Sequence, residues 1–259
     1  MSQKLKIALV GAGSTMFSQG TISDILLSDT LNDHYEIDLW LMDIVPEHLA
    51  DVEQFAHSAI ASLQRRATVT TTTNLKPALA GADFVVTAIE VDRYYYWSQD
   101  FHVPRKYGFT QIWGENGGPG GMFHTLRNMG PLLEIAHTME DVCPDAWMIN
   151  FSNPEAKLVQ AVSTLSDVKA VGMCHGVLGV HNRISRLLEI PAEEIEITAC
   201  GLNHFSWLQT ITHKETGQDL YPLLREKEPQ IHWLACWEEL ALNRVMFRTF
   251  GLWPYGGTN

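Results

Sequence analysis

The sequence predicts an α/β fold: a Rossmann-type, doubly wound, mostly parallel sheet that leads into a second, smaller α+β unit. Three observations carry the prediction. Lys6-Ile7-Ala8-Leu9-Val10 is an apolar, β-rich run that ends in Gly11-Ala12-Gly13-Ser14 and is followed by a helical pattern. Ile37-Asp38-Leu39-Trp40-Leu41-Met42-Asp43 is a second buried run, and it ends in an acid. Strand and helix patterns then keep alternating to Ile89, which gives β-α-β-α-β-α-β.

Each element follows from its own residues. After the glycine turn, Phe17, Ile22, Ile25 and Leu26 share a helix face, and Ser14 is placed as its cap. Gly11 permits a tight turn, and Gly13 lets backbone approach a pyrophosphate at the helix N-terminus. The third glycine of the dinucleotide fingerprint is replaced by Met16, so the GxG alone is weak evidence. Asp43 strengthens it, because an acid at the end of the second strand can accept ribose hydroxyls and repels a 2′-phosphate; NAD is therefore favoured over NADP. Asp43 also suits capping of the next helix, where Pro46 sits, and the two roles are compatible. Residues 29–35 read as a long loop. Leu49, Val52, Phe55, Ala56, Ala59, Ile60 and Leu63 mark a helix over 47–66. Val69–Thr73 and Phe84–Ile89 are strands, with a short helix, Leu75–Ala80, between them.

Beyond the fourth strand come Glu90-Val91-Asp92-Arg93-Tyr94-Tyr95-Tyr96-Trp97, read as a loop of charges and aromatics whose composition suits a sugar. The glycine-dense segment Gly114–Gly121 follows, too irregular for a helix or strand, and then a helix over Phe123–Val142. That segment reads as a linker or as a loop approached by a ligand, and its place between two strands favours the loop.

Composition bounds the function. The chain has 259 residues, 46% of them hydrophobic and 19% charged, as expected of an ordinary globular protein. A net charge of −12 without any basic run argues against a nucleic-acid surface. No apolar run approaches a membrane span, and the start shows no secretory signal, so a cytoplasmic protein is expected. Four cysteines do not make a disulfide framework in a chain of this size.

The chemistry concentrates in Asn150–His204. Three polar clusters follow three buried runs: Asn150-Phe151-Ser152-Asn153-Pro154, Cys174-His175-Gly176 and Gly201-Leu202-Asn203-His204. Polar groups at strand C-ends are where α/β folds bind ligands. A thiolate and an imidazole brought together there could hold a divalent metal. On spacing alone, a buried cysteine and a core histidine bonded to backbone are the favoured account of the pair, since thirty positions separate Cys174 from His204.

Taken together, the glycine turn, the Gly114–Gly121 loop and these three clusters resemble, in order and spacing, glycoside hydrolase family 4, the NAD- and metal-dependent glycosidases. The Cys174-His175 pair is more similar to the α-galactosidase, α-glucosidase and α-uronidase branch than to the 6-phosphoglucosidase branch. The resemblance implies that NAD⁺ accepts hydride from C3 of the sugar and that the proton at C2 is then removed beside a divalent metal, usually Mn²⁺. The aglycone leaves by elimination, water adds, and the hydride returns. It implies Cys174 and His204 as metal ligands, and Asn153 and Asp92 as sugar contacts. His175 would act at the leaving group and Glu115 would tune the base. Gly11, Gly13, Ser14, Asp43 and Asn150 would bind NAD. It also implies a lactate-dehydrogenase-like second domain and a homo-oligomer, dimer or tetramer.

The expected division is an NAD-binding domain over 1–190 and the beginning of a substrate and metal domain over 191–259. Family members are longer, and their general base falls at or beyond Tyr255-Gly256-Gly257. The predicted helix Ile231–Phe250 has apolar residues on several sides. A truncated chain is therefore expected. The alternatives are a lactate- or malate-type dehydrogenase, needing a His-Asp pair, a substrate-binding arginine and no metal, and a non-catalytic NAD-binding fragment.

Overall fold

The protein is described by a computed structural model covering residues 3–111, 113–202, 205–230 and 240–256. Its main sheet has the strand order β3-β2-β1-β4-β5-β6, all pairs parallel. The strands are β1 (Gln3–Val10), β2 (Tyr35–Met42), β3 (Ala67–Thr72), β4 (Phe84–Thr87), β5 (Trp147–Asn150) and β6 (Lys169–Gly172). The order reverses between β1 and β4, and the crevice outside their C-terminal ends is where such folds bind ligands.

Helices cover both faces, so the central strands read as continuous apolar runs. On one face lie α1 (Thr15–Leu27) and α3 (Pro46–Leu63), whose Ile22, Leu26, Val52 and Ala56 pack on Ile37, Leu39 and Leu41. On the other lie α4 (Leu75–Leu79), α6 (Gly118–Val142) and α7 (Glu155–Leu165), whose Leu79, Leu132, Met139 and Leu158 pack on Ala8, Val85 and Met148. Each fully buried aliphatic contributes roughly 1.5–3 kcal/mol relative to exposure. The remaining connections are α2 (Asp29–His34) and α5 (Arg93–Arg105).

Three local readings are corrected. Residues 29–34 form a helix instead of a loop: Ser28 caps it by accepting the Leu31 N–H, and Asn32 donates to the carbonyls of Ile25 and Ser28. Residues from Arg93 are helical because α5 packs on α6, with Tyr96 under the Arg127 guanidinium and Asp100 paired to Arg127 and His124. The glycine-dense segment is not wholly irregular, because α6 begins at Gly118. Gly120 has no Cβ to keep it from the Asp100 carbonyl, which an added Cβ would meet at 2.1 Å. Close approach of α6 to α5 explains the glycine, which propensity alone would place outside a helix.

The second unit is a three-stranded antiparallel sheet, β7 (Ile195–Leu202), β8 (Phe205–His213) and β9 (Pro254–Gly256), in the order β7-β8-β9. It packs on α8 (Gly176–Leu188), α9 (Tyr221–Lys227) and α10 (Leu240–Phe250). Val180, Ile184 and Leu188 of α8 join Leu208, Ile211, Leu224 and the fully buried Trp253 in one core. Of the predicted helix Ile231–Phe250, residues 231–239 lie outside the described residues. Among the described residues, no helix is long and apolar enough to cross a membrane.

Candidate active site

The glycine turn at the end of β1 is built by close approach. Gly11 adopts φ +87°, and a Cβ there would stand 2.3 Å from the Ala88 carbonyl oxygen. Gly13 lies against Asp43, whose Oδ2 accepts the Gly13 N–H at 2.8 Å while Oδ1 accepts the Val45 N–H at 2.9 Å. Asp43 is therefore not the N-cap of α3, a position taken by Val45, but it fixes the turn from the side. Ser14 occupies the N-cap position of α1 without a side-chain cap bond, which corrects the expected cap. The turn is instead tied to α1 by Ser18, which donates to the Ala12 carbonyl at 2.7 Å. Met16 is 84% exposed, so the missing third glycine costs no packing.

A row of groups runs along the C-terminal edge of the sheet from this turn. Ile89, just past β4, donates its N–H to Ser152 Oγ at 2.8 Å. Thr87 Oγ1 donates to Asn150 Oδ1 at 2.9 Å, and Asn150 Nδ2 donates to the Ser152 carbonyl at 3.0 Å. Asn150 is fully buried, so its side chain holds the Asn150–Pro154 loop, which includes a cis Asn153–Pro154 peptide. The Met173 N–H reaches the Asn150 carbonyl at 2.9 Å and places Cys174 at the end of β6. Cys174, part-buried, has its Sγ 3.4 Å from the Tyr255 hydroxyl of β9. Gly176 makes room for that ring, since a Cβ there would overlap the phenol. His175 is exposed at the N-cap of α8. The other predicted metal ligand, His204, and its neighbour Asn203 lie outside the described residues.

Beyond β4 lie the predicted Asp92 and Glu115 and, on α5 and α6, a cluster of Asp100, His124 and Arg127 that the sequence did not single out. Asp92 is exposed and left-handed, φ 45°, at the N-cap of α5. The buried Glu115 carboxylate accepts the Trp97 indole N–H. Asp100, 5% exposed, accepts two bonds of 2.9 Å from Arg127 and one of 2.9 Å from His124 Nδ1. Its own bonds to Asp100 and that carboxylate's charge raise the Arg127 guanidinium above its ordinary value. His124 is 1% exposed, and its Nε2 faces Glu90 Oε1 at 3.5 Å. It is thus no catalytic His-Asp dyad of the dehydrogenase kind, because its outer nitrogen meets Glu90 instead of the crevice. The signal in sequence was the i, i+3 pairing of His124 with Arg127 behind a glycine run. An open cleft of about 470 Å³ adjoins this region, lined by Asn116, Gly117, Gly121, Met122, Thr125 and Lys157 among others.

The model of family 4 glycosyl hydrolases matches residues 6–190, and that of the same family's C-terminal domain matches residues 199–258. The chain belongs to glycosyl hydrolase family 4. An α-glucosidase of Erwinia rhapontici is 41% identical over 226 residues, 86% of this chain and 49% of that protein. An α-galactosidase of Bacillus subtilis is 34% identical, covering 87% and 52%. The chain thus spans about half the length of the curated relatives it matches. A solved 6-phospho-α-glucosidase from gut microorganisms, in complex with NAD and Mn²⁺, superimposes with a TM-score of 0.82 at 23% identity, over 97% of this chain and 59% of that one; this shows the fold. Within the family 4 frame, the structure places Gly11, Gly13, Asp43, Asn150, Asn153 and Cys174 on one edge of one sheet. Glu115 and Asp92 flank that edge from the α5 side.

Proposed function

We propose that the chain acts as an α-glycosidase on an α-galactoside, α-glucoside or α-uronide, using NAD and a divalent metal such as Mn²⁺. One observation carries this reading: the end of β6 presents the Cys174 thiol on the same sheet edge as the glycine turn of β1. The residues fit both groups. The N-terminus of α1 carries no side-chain cap, so its free N–H groups and positive dipole end suit a pyrophosphate. Asp43 uses one lone pair of each oxygen on backbone and keeps others for ribose hydroxyls. For the metal, Cys174 offers a soft thiolate, with His204 as its expected partner. Among the described residues no group of three or more His, Cys, Asp or Glu side chains could form a closed metal cage.

When bound, NAD would supply hydride transfer at C3 and the metal would supply Lewis-acid stabilisation of negative charge at C2 and C3. The chain's own residues do the rest. Asn153 and Asp92 would hold sugar hydroxyls. His175, exposed at the α8 N-cap, would hold the proton for the leaving group. Glu115, fixed by the Trp97 indole, would orient the proton-accepting group. Asn150 would serve the cofactor through the loop that it holds in place. We read the assembly as a cytoplasmic homo-oligomer, to be checked by light scattering.

The experiment is hydrolysis of a panel of aryl α- and β-glycosides and uronides with and without NAD⁺, Mn²⁺ and thiol. Cleavage that needs all three supports the reading, and cleavage indifferent to NAD⁺ and metal sinks it. Cys174→Ser should lose at least a hundredfold in kcat with the far-ultraviolet spectrum unchanged.

A further inference from the structure

We propose that Glu90 sets the charge specificity of the crevice: by holding Arg93 in an ion pair, it cancels the cation at the lip of β4 and selects an uncharged glycoside over a uronide or phosphosugar. The inference rests on the glycosidase reading above and narrows its substrate class.

Placement comes first. The turn at Gly11 lies directly against Ala88 and Ile89. Glu90 is the next residue, and Arg93 opens α5 one turn later. Both therefore stand at the switch point between β1 and β4, where a ligand is expected. Glu90 Oε2 accepts from Arg93 Nη1, and the two side chains are 18% and 52% exposed.

Glu90 cannot readily swing off this arginine. Its Oε1 is fully buried and turned towards His124 Nε2, 3.5 Å away, and neither atom has a hydrogen-bond partner within normal range. His124 is in turn fixed by Asp100, and Asp100 by two bonds from Arg127. The fully buried Asn128 closes the arrangement, accepting the Val91 N–H at 2.9 Å and donating to the His124 carbonyl at 3.1 Å. The backbone next to Glu90 is thereby tied to α6, and the carboxylate keeps Oε2 on Arg93.

The charge balance follows. Glu90, Asp92 and Glu115 bring three carboxylates to this lip. The two arginines beside them, Arg93 and Arg127, are matched to Glu90 and Asp100. A sugar carboxylate or phosphate would have to displace Glu90 from Arg93 or lie beside like charges. A sugar hydroxyl has neither penalty. Rejection by a built-in repulsive group is a general route to specificity.

The test is calorimetric titration of the NAD⁺- and Mn²⁺-supplemented chain with galactose, glucose, galacturonate and glucose 6-phosphate. A neutral sugar should bind at least tenfold more tightly than either anion. Glu90→Gln should shift the neutral-to-anion affinity ratio at least tenfold towards the anions, and adding Arg93→Gln to that variant should remove the shift. Tighter binding of galacturonate or glucose 6-phosphate by the unmodified chain overturns the proposal, as does an unchanged ratio in Glu90→Gln. If that variant does not fold, the ratio in the unmodified chain decides. Failure of every sugar to bind defeats the glycosidase reading itself, and this inference with it.

Discussion

The parallel sheet and the antiparallel unit are built on opposite terms. In the parallel sheet, β1, β2 and β4 are sealed on both faces, and two apolar cores, one per face, hold it. The antiparallel unit has one core on one face. Its strands show large apolar side chains on the other, Leu202 at 75% and Phe205 at 49% exposure. The second unit makes up for a thinner core with a buried ionic clamp. Glu228, 2% exposed, joins Arg244, 4% exposed, and Arg248 of α10. The comparison teaches that one region is fixed by apolar area and the other also by charge pairs that must stay matched.

The largest expected effect tests the thin core. Trp253→Ala should cost about 3–5 kcal/mol, because the ring is fully buried against Phe247, while the backbone N–H of residue 253 keeps its 3.1 Å bond to the Tyr221 hydroxyl. Chemical denaturation followed by circular dichroism measures it; a loss below 1 kcal/mol would show that the unit tolerates a hole where the parallel sheet would not.

Next comes the clamp. Burial raises the Glu228 carboxyl, but its bonds to Arg248 and Arg244 more than offset this and leave it below its ordinary value of 4.5. A carboxylate depressed in the folded state stabilises above its unfolded value and loses that contribution as the pH falls through the folded one. The α9–α10 contact should thus weaken below about pH 4.5. Glu228→Gln, which strands a buried guanidinium, should cost roughly 3 kcal/mol or more at pH 7 and remove this component of the acid transition. Denaturation midpoints from pH 7 to pH 3 would show both.

A smaller effect lies in the parallel sheet. Gly11→Ala forces a side chain into a left-handed position against the Ala88 carbonyl, at about 1–3 kcal/mol, with NAD⁺ affinity falling at least tenfold by calorimetry. The smallest is Glu189→Ala. Its partner Lys227 holds the carboxyl below its ordinary value, but the group is fully exposed, so the denaturation midpoint should not move measurably. A clear shift would mean that surface pairs, like buried ones, hold the second unit.

How legible was this in the sequence? The β-α alternation of residues 6–89, the glycine turn and Asp43 could be read directly, because period and turn chemistry are local. So could the clusters at Asn150 and Cys174, since each follows a short apolar run. The helices at Asp29–His34 and Arg93–Arg105 could not, because neither has a strong apolar stripe. The first rests on Asn32 and a Ser28 cap, the second on contacts with a helix more than twenty residues further along.

By itself, then, the chain's pattern of apolar runs and glycines determined a doubly wound sheet with polar groups at its strand ends. Only tertiary structure decided what those groups touch. It set Tyr255 beside Cys174 across eighty-one positions, and Asn150 inward to hold its own loop. It also set Glu90 between Arg93 and His124. The physical reason is that burial and strand order follow from short-range periodicity, whereas the partner of a charged or hydroxyl group depends on which distant elements the packed core brings within about 3 Å.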